Sequence, residues 1–265
     1  MMHYREIQPP PALREFVRFF WILEQNKTPT HPISYKLFAE ALPGLAFFHN
    51  SRIGVINGPG SIHRQFSITG RFKITGAFLY PYAVPLLFRL PSYELTNVSY
   101  DLSTFIGSGG IELQEKILDA QNDTIALNHL SEYLIHRLSN SNESKNDQHK
   151  SIRHIIQQPG QIAIETLAFQ SGISVRQFER NTKHHTGFSP KLFNRLMRFQ
   201  AALRLPQKQK TNSLTDLAYQ AGYFDQSHFI REFREFSGIT PKEYFNLKHE
   251  DKADTFVAWS PSVKD

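Results

Sequence analysis

Two short stretches of the 265-residue chain hold side chains suited to reading a polyanion. In "SVRQFERNTKHH", Arg176, Glu179, Arg180 and Lys183 recur at three- and four-residue spacing, so a helix would place them on one face. In "DQSHFIREFREF", Gln226, Ser227, Ile230, Arg231 and Arg234 do the same, with His228 among them. Arg and Gln can make paired hydrogen bonds to guanine and adenine edges, and Arg and Lys neutralise phosphates. Glu179 can accept from a cytosine amino group, but phosphate repulsion leaves an intramolecular ion pair equally open. The plain alternative for the arginines is a solvated helix face, with Glu179 and Glu235 as surface partners. His228 suits either packing near the turn or a phosphate contact.

The elements that would position these groups form a repeat. "LAFQSGISVRQFERNTKHHTGFSP", residues 167–190, resembles residues 217–241. Leu167, Ala168, Gln170 and Gly172 match Leu217, Ala218, Gln220 and Gly222 at an offset of 50; Phe178, Arg180, Gly187 and Pro190 match Phe229, Arg231, Gly238 and Pro241 at 51. The second copy therefore has one extra residue after its glycine. Each copy reads as a helix-turn-helix. Ala168 and Ala218 let a second helix cross closely, and Gly172 and Gly222 suit a positive φ. Ser174 with Gln177 predicts a capping box, and Asp225 is the expected cap of the second copy. Phe178 and Phe229 should point inward. Between the copies, "PKLFNRLMRFQAALRL" predicts an amphipathic rod, with Leu192, Leu196, Phe199 and Leu203 inward and Lys191, Arg195, Arg198 and Arg204 outward. The second copy has Phe233 and Phe236 where the first has Thr182 and His185, so the first is expected to bury less apolar surface.

"GYFDQSHFIREFREFSGITPKEYF" resembles the signature end of AraC/XylS-type transcriptional regulators, and the likeness extends over about residues 155–248. The resemblance implies a seven-helix domain whose two recognition helices, about 174–185 and 225–236, enter adjacent major-groove segments of DNA. It makes Arg176, Glu179, Arg180, Gln226, Ser227, Ile230 and Arg231 base-contacting candidates. Lys183, Arg195, Arg234 and His228 become backbone candidates. Less strongly, "YREIQPPPALREFVRFFWILE" and "GAFLYPYAVPLLFRLPSYELTNVSYDL" resemble a poorly characterised domain found ahead of such modules, which implies a sensory or dimerising role.

The N-terminal half reads as mainly β over residues 31–100. "FSITGRFKITGAFLY" alternates through Phe66, Ile68, Phe72, Ile74, Gly76 and Phe78, with Gly70 as the turn, and "LAFFHN" and "RIGVING" predict further strands. Leu13, Phe16, Val17, Phe20 and Trp21 fit a helix, though the run could also enter a strand. Leu113, Ile117, Leu118, Leu127, Leu130, Leu134 and Leu138 predict one or two amphipathic helices. "SNSNESKNDQHKS" at 139–151 reads as a linker or exposed loop.

Charge follows this division. Residues 1–150 hold 14 Lys and Arg against 13 Asp and Glu, whereas residues 151–248 hold 14 against 7. Charge alone leaves a polyanion-binding module and a merely basic domain equally open. The chain has no cysteine, which excludes disulfides, thiolate metal sites and a cysteine nucleophile, including methyl-acceptor repair chemistry. No run approaches eighteen apolar residues and no signal peptide is evident, so the expected location is cytoplasmic without a membrane contact. His3, His31, His49 and His63 lack metal-ligand spacing. Phe47, Phe48, Phe66, Phe72, Phe78 and Tyr80 suit core packing better than a ligand pocket, and Glu40, Tyr93 and Glu94 have no partner evident in sequence.

The expectation is an α+β chain of two domains. A mainly β domain, barrel- or sandwich-like with flanking helices, occupies residues 1–140. A linker (141–151), an all-α domain with two helix-turn-helix units (152–248) and a tail (249–265) follow. The expected function is sequence-specific regulation of transcription, without enzyme activity, cofactor or metal. Double-stranded DNA is the expected partner; a small-molecule effector, a homodimer and RNA polymerase are left open. The alternative is a catalytic β domain fused to a DNA-binding module.

Overall fold

The computed structural model describes residues 2–26, 33–68, 70–141, 147–159, 163–205, 213–246 and 256–257. His31, the linker residues 142–146 and all but two residues of the tail 249–265 lie outside the described residues, as do the side chains of Phe66 and Ile68.

The first half contributes β1 (Met2–Ile7), β2 (Val17–Gln25), β3 (Ile33–Leu37), β4 (Gly44–Phe48), β5 (Ile53–Asn57), β6 (Arg64–Ile68), β7 (Phe72–Leu79) and β8 (Ser99–Asp101). Its helices are α1 (Ala83–Phe88), α2 (Leu102–Ile106), α3 (Ser108–Leu118) and α4 (Asp123–Ser139). Six strands form one sheet in the order β1-β2-β7-β4-β5-β8, all pairs antiparallel. The domain is mainly β with flanking helices, as expected, and its six-stranded sheet does not close into a barrel. Strands β6 and β3 pair in a second, small sheet, with β9 (Phe256–Val257) parallel to β3. Gly70, at φ +80°, is therefore a turn between strands of different sheets.

One face of the large sheet packs Val17, Phe20, Ile22, Leu45, Phe47, Ile56, Ala77 and Leu79 against Leu113, Ile117, Leu127, Leu130 and Leu134 of α3 and α4. The other face holds a smaller cluster of Leu23, Ala46, Phe72 and Ile74. Gly76 is required there by close approach: a Cβ would lie 2.4 Å from the Trp21 indole. Of the helix and strand left open near residues 13–21, the structure has the strand: a single 3-10 turn at Pro11–Leu13 leads into β2. A register shift between Val17 and Phe19 puts Val17 and Phe20 in the same cluster. That three-residue spacing imitates a helix.

The second half contributes α5 (Asp147–Gln157), α6 (Ile164–Gln170), α7 (Val175–Thr186), α8 (Pro190–Leu203), α9 (Leu214–Gln220), α10 (Gln226–Ser237) and α11 (Pro241–Asn246). Among the described residues these are seven helices, and α5 begins inside the stretch read as linker. Their core is built on Phe178, Phe193, Phe199, Phe229, Phe233, Phe236 and Tyr244. The first half enters that core. Phe38 packs edge-on against Phe199 and Tyr244, with centroids 6.1 and 5.8 Å apart.

A column of rings continues the junction. Tyr80 stacks on Tyr82, Tyr82 on His149 of α5, and His149 meets the edge of His185 of α7 at 5.3 Å. Arg153 donates to the Tyr82 hydroxyl and, with Glu15, completes the charged surroundings of His149. Burial, then the nearby His149 and His184 rings, lowers the His185 pKa from its ordinary 6.5 to about 3. His149 is lowered too, by burial and then by Arg153.

The folded chain therefore holds His185 neutral while the unfolded chain takes up a proton below about pH 6.5. This contribution is complete above that value and is lost as pH falls toward 3. From pH 7 to pH 5, His185 should cost about 2 kcal/mol of stability. His185→Phe, which copies Phe236 of the second unit, should remove most of that share. Urea unfolding of both proteins at the two pH values checks it, and identical pH slopes would sink the assignment.

Candidate nucleic-acid interface

The two units repeat at the level of single hydrogen bonds. Ile173 N–H donates to the Ala168 carbonyl at 3.2 Å, and Tyr223 N–H donates to the Ala218 carbonyl at 2.9 Å. Gly172 and Gly222, at φ +65° and +77°, donate at 3.0 Å to the Phe169 and Tyr219 carbonyls. Helices α7 and α10 end on left-handed Gly187 and Gly238. Thr186 Oγ1 and Ser237 Oγ, at matching positions, donate to the carbonyls of Thr182 and Phe233.

The helix starts follow from capping. Ser174 Oγ accepts from Gln177 N–H at 3.2 Å and Asp225 Oδ1 accepts from His228 N–H at 2.8 Å. The capping box expected at Ser174 is only half formed. The Gln177 side chain turns along the helix, donating to Asn181 and accepting from Arg180.

On α7, Arg176, Glu179, Arg180 and Lys183 are exposed, while Phe178 and Thr182 are buried. Lys183 lies 5.9 Å over the Tyr93 ring of the first half. On α10, Ser227, Arg231 and Arg234 are exposed and Ile230 is half-buried. Gln226 is half-buried too, accepting from Thr215 Oγ1 of α9 at 2.8 Å. Each of these two helices thus offers arginines to the outside from a buried aromatic footing.

Arg195 and His228 stand apart from the other candidates. Arg195 donates through Nε to Glu232 and through Nη2 to Glu235 at 2.7 Å. His228 Nε2 lies 3.2 Å from Glu232, and its ring meets the edge of Tyr223 at 5.4 Å. Both are occupied within the domain. Nor do Arg198 and Arg204 point outward as the helical wheel suggested. Arg198 donates to Glu232 at 3.1 Å and lies 4.4 Å over Tyr223. Arg204 faces Glu40, Glu6 and Arg18 of the first half, where burial, then the Arg18 charge, lowers its pKa to about 9.

Glu232 is the centre of this arrangement and had no signal in the sequence, where it is one charge in the alternating run "REFREF". It is 1% exposed. Burial pushes its carboxyl up, but the Arg195 hydrogen bond and the Arg198 charge prevail and hold it below the ordinary range. Glu232 therefore ties α10 to α8. Glu232→Ala leaves two arginines facing each other and should cost about 3 kcal/mol in urea unfolding. Glu235→Ala, at an exposed carboxylate, should cost under about 1 kcal/mol. Equal losses in the two variants would contradict a central role for Glu232.

Residues 167–246 match a protein family described as "Helix-turn-helix domain", and residues 5–101 match "Domain of unknown function (DUF6597)". Among curated proteins, the chain is similar to the "HTH-type transcriptional activator RhaS" of Pectobacterium atrosepticum, at 35% identity over 85 residues. The match covers 32% of this chain and 29% of that protein. RhaS of Enterobacter sp. is 34% identical over 84 residues, 31% of this chain and 30% of the relative. The chain thus spans about three-tenths of the length of these relatives. Among solved structures, an AraC-type transcriptional regulator from Chromobacterium violaceum is 24% identical. It covers 37% of this chain and 88% of its own, with a TM-score of 0.34. ToxT from Vibrio cholerae is 11% identical and covers 94% of this chain and 96% of its own, with a TM-score of 0.44. The C-terminal part of the chain is thus similar to helix-turn-helix domains of transcriptional activators, and the part before it to a domain of unknown function, DUF6597.

Proposed function

We propose that the chain is a sequence-specific DNA-binding regulator of transcription, acting in the cytoplasm, with α7 and α10 as its two recognition helices. The observation that supports this best is the matched exposure of arginines on both. Arg176 and Arg180 stand on one helix, and Arg231 and Arg234 on the other, each over a buried phenylalanine. Adjacent major-groove segments of one duplex, about 34 Å apart, are the natural target of two such helices. Arg176, Arg180, Gln226, Ser227, Ile230 and Arg231 meet base edges, with Glu179 at the rim. Lys183 and Arg234 neutralise phosphates, and Arg195 and His228 support the second helix from within.

The N-terminal domain is proposed to set the placement of the two helices, under the control of an effector or of a second copy of the chain. Its donors reach equivalent points on both units. Ser92 Oγ donates to the His185 carbonyl at 2.8 Å, and Ala39 N–H donates to the Phe236 carbonyl at 2.9 Å. A contact with RNA polymerase belongs to the same proposal, on the strength of the activators to which the C-terminal part is similar.

Arg231→Ala should weaken binding to a duplex enriched from a random pool by about 1–3 kcal/mol and relax preference at one base pair. Quantitative binding across single-base variants of that duplex measures both. An equal loss on unrelated duplexes, with a smaller salt slope, would make Arg231 a phosphate contact instead.

A further inference from the structure

The extra residue of the second unit is identified by the backbone. Ile173 and Tyr223 occupy the same place, each donating to the carbonyl of the small alanine before the turn. In the first unit the next residue, Ser174, is already the helix cap. In the second, Phe224 intervenes before the cap Asp225. Phe224 is thus the insertion, and at 88% exposure it is the most exposed large apolar side chain among the described residues.

An apolar residue just before a helix cap ordinarily folds back onto the fourth helical position, here Phe229. Phe224 does not, because Tyr223 is already there. The Tyr223 ring is 5.1 Å from Phe229, and Arg198 covers it at 4.4 Å. Phe224 is left at the N-terminal end of α10, beside Gln226 and Ser227, where a recognition helix meets base edges. Its apolar surface is compensated by nothing within the chain's described residues. On the major-groove edge of DNA the apolar group is the thymine C5-methyl.

We infer that Phe224 is a specificity-determining residue that packs against a thymine methyl at the position read by the start of α10. The inference rests on the DNA-binding reading above. It gives the second unit an exposed aromatic ring where the start of α7 offers only Val175.

The test uses the full chain and a duplex that it enriches from a random pool. Each thymine of that duplex is replaced in turn by deoxyuridine, which removes the methyl and nothing else. For the native chain one replacement should weaken binding about 3- to 5-fold, the value of one buried methyl. Phe224→Ala should bind the unmodified duplex about tenfold more weakly and be indifferent to that replacement. Phe224→Leu should keep part of the sensitivity. Thermal unfolding of Phe224→Ala should match the native chain, because the ring is outside the core. A methyl penalty unchanged in Phe224→Ala, or none at any thymine for the native chain, overturns the assignment and leaves the DNA-binding reading standing. Failure to enrich any duplex overturns both.

Discussion

The carbonyls at the C-terminal ends of α7 and α10 are the constraint on which the rest of the structure depends. A helix end leaves its last carbonyls without internal partners, and buried ones must find donors elsewhere. Here the donors come from the other domain. Ser92 serves His185, Thr96 Oγ1 serves the Gly187 carbonyl at 3.2 Å, and the Ala39 amide serves Phe236. His185 and Phe236 correspond in the repeat, so the N-terminal domain holds both units at the same point. Each bond is worth only about 1 kcal/mol net, yet losing one leaves a buried acceptor unpaired. Gly187 and Gly238 are needed twice over: both have positive φ, and a Cβ at either would run into the N-terminal domain, at Thr96 or at His63.

Each unit meets this common constraint with different chemistry. Helix α10 stands on Phe229, Phe233 and Phe236, each 0% exposed, and is tied to α8 through Glu232. Helix α7 buries one phenylalanine, Phe178, with Thr182, His185 and Thr186 completing the face. What it lacks in its own apolar footing is supplied from outside, by Tyr82 and His149 stacked toward His185 and by Ser92 and Thr96 beneath its last turn. The second unit is thus secured mainly within the helical domain and the first mainly across the junction.

The repeat, the caps at Ser174 and Asp225 and the terminal glycines were legible in the sequence because each answers a local backbone requirement. The inward phenylalanines followed from period alone. What escaped was set by distant partners. A wheel drawn for α8 separates polar from apolar, but it cannot show that the polar side of Arg198 meets Glu232, or that Arg204 meets another domain. Glu40 gave no hint of Gln200, 160 residues away, which donates to it at 2.5 Å. Strand β2 was left open between helix and strand for a different reason. Both faces of its sheet are covered, so Val17, Phe19, Phe20, Ile22 and Leu23 are all buried, and alternation disappears.

The asymmetry bears on how two readers can share one duplex. On the proposed reading, two helices must keep a fixed separation to engage neighbouring groove segments, and any error in that separation weakens both contacts. A single connecting helix fixes the spacing only as well as each unit grips it. Unit two grips α8 with a buried carboxylate between two arginines; unit one has no ion pair to α8 among the described residues. Its last turn is held instead by the β domain, whose Ser92 and Thr96 donate to the carbonyls of His185 and Gly187. A shift of the β domain by the length of one hydrogen bond would remove donors from the ends of both helices, but α10 would stay tied to α8 through Glu232. On that reading α7, which lacks such a tie, follows the N-terminal domain more closely than α10 does.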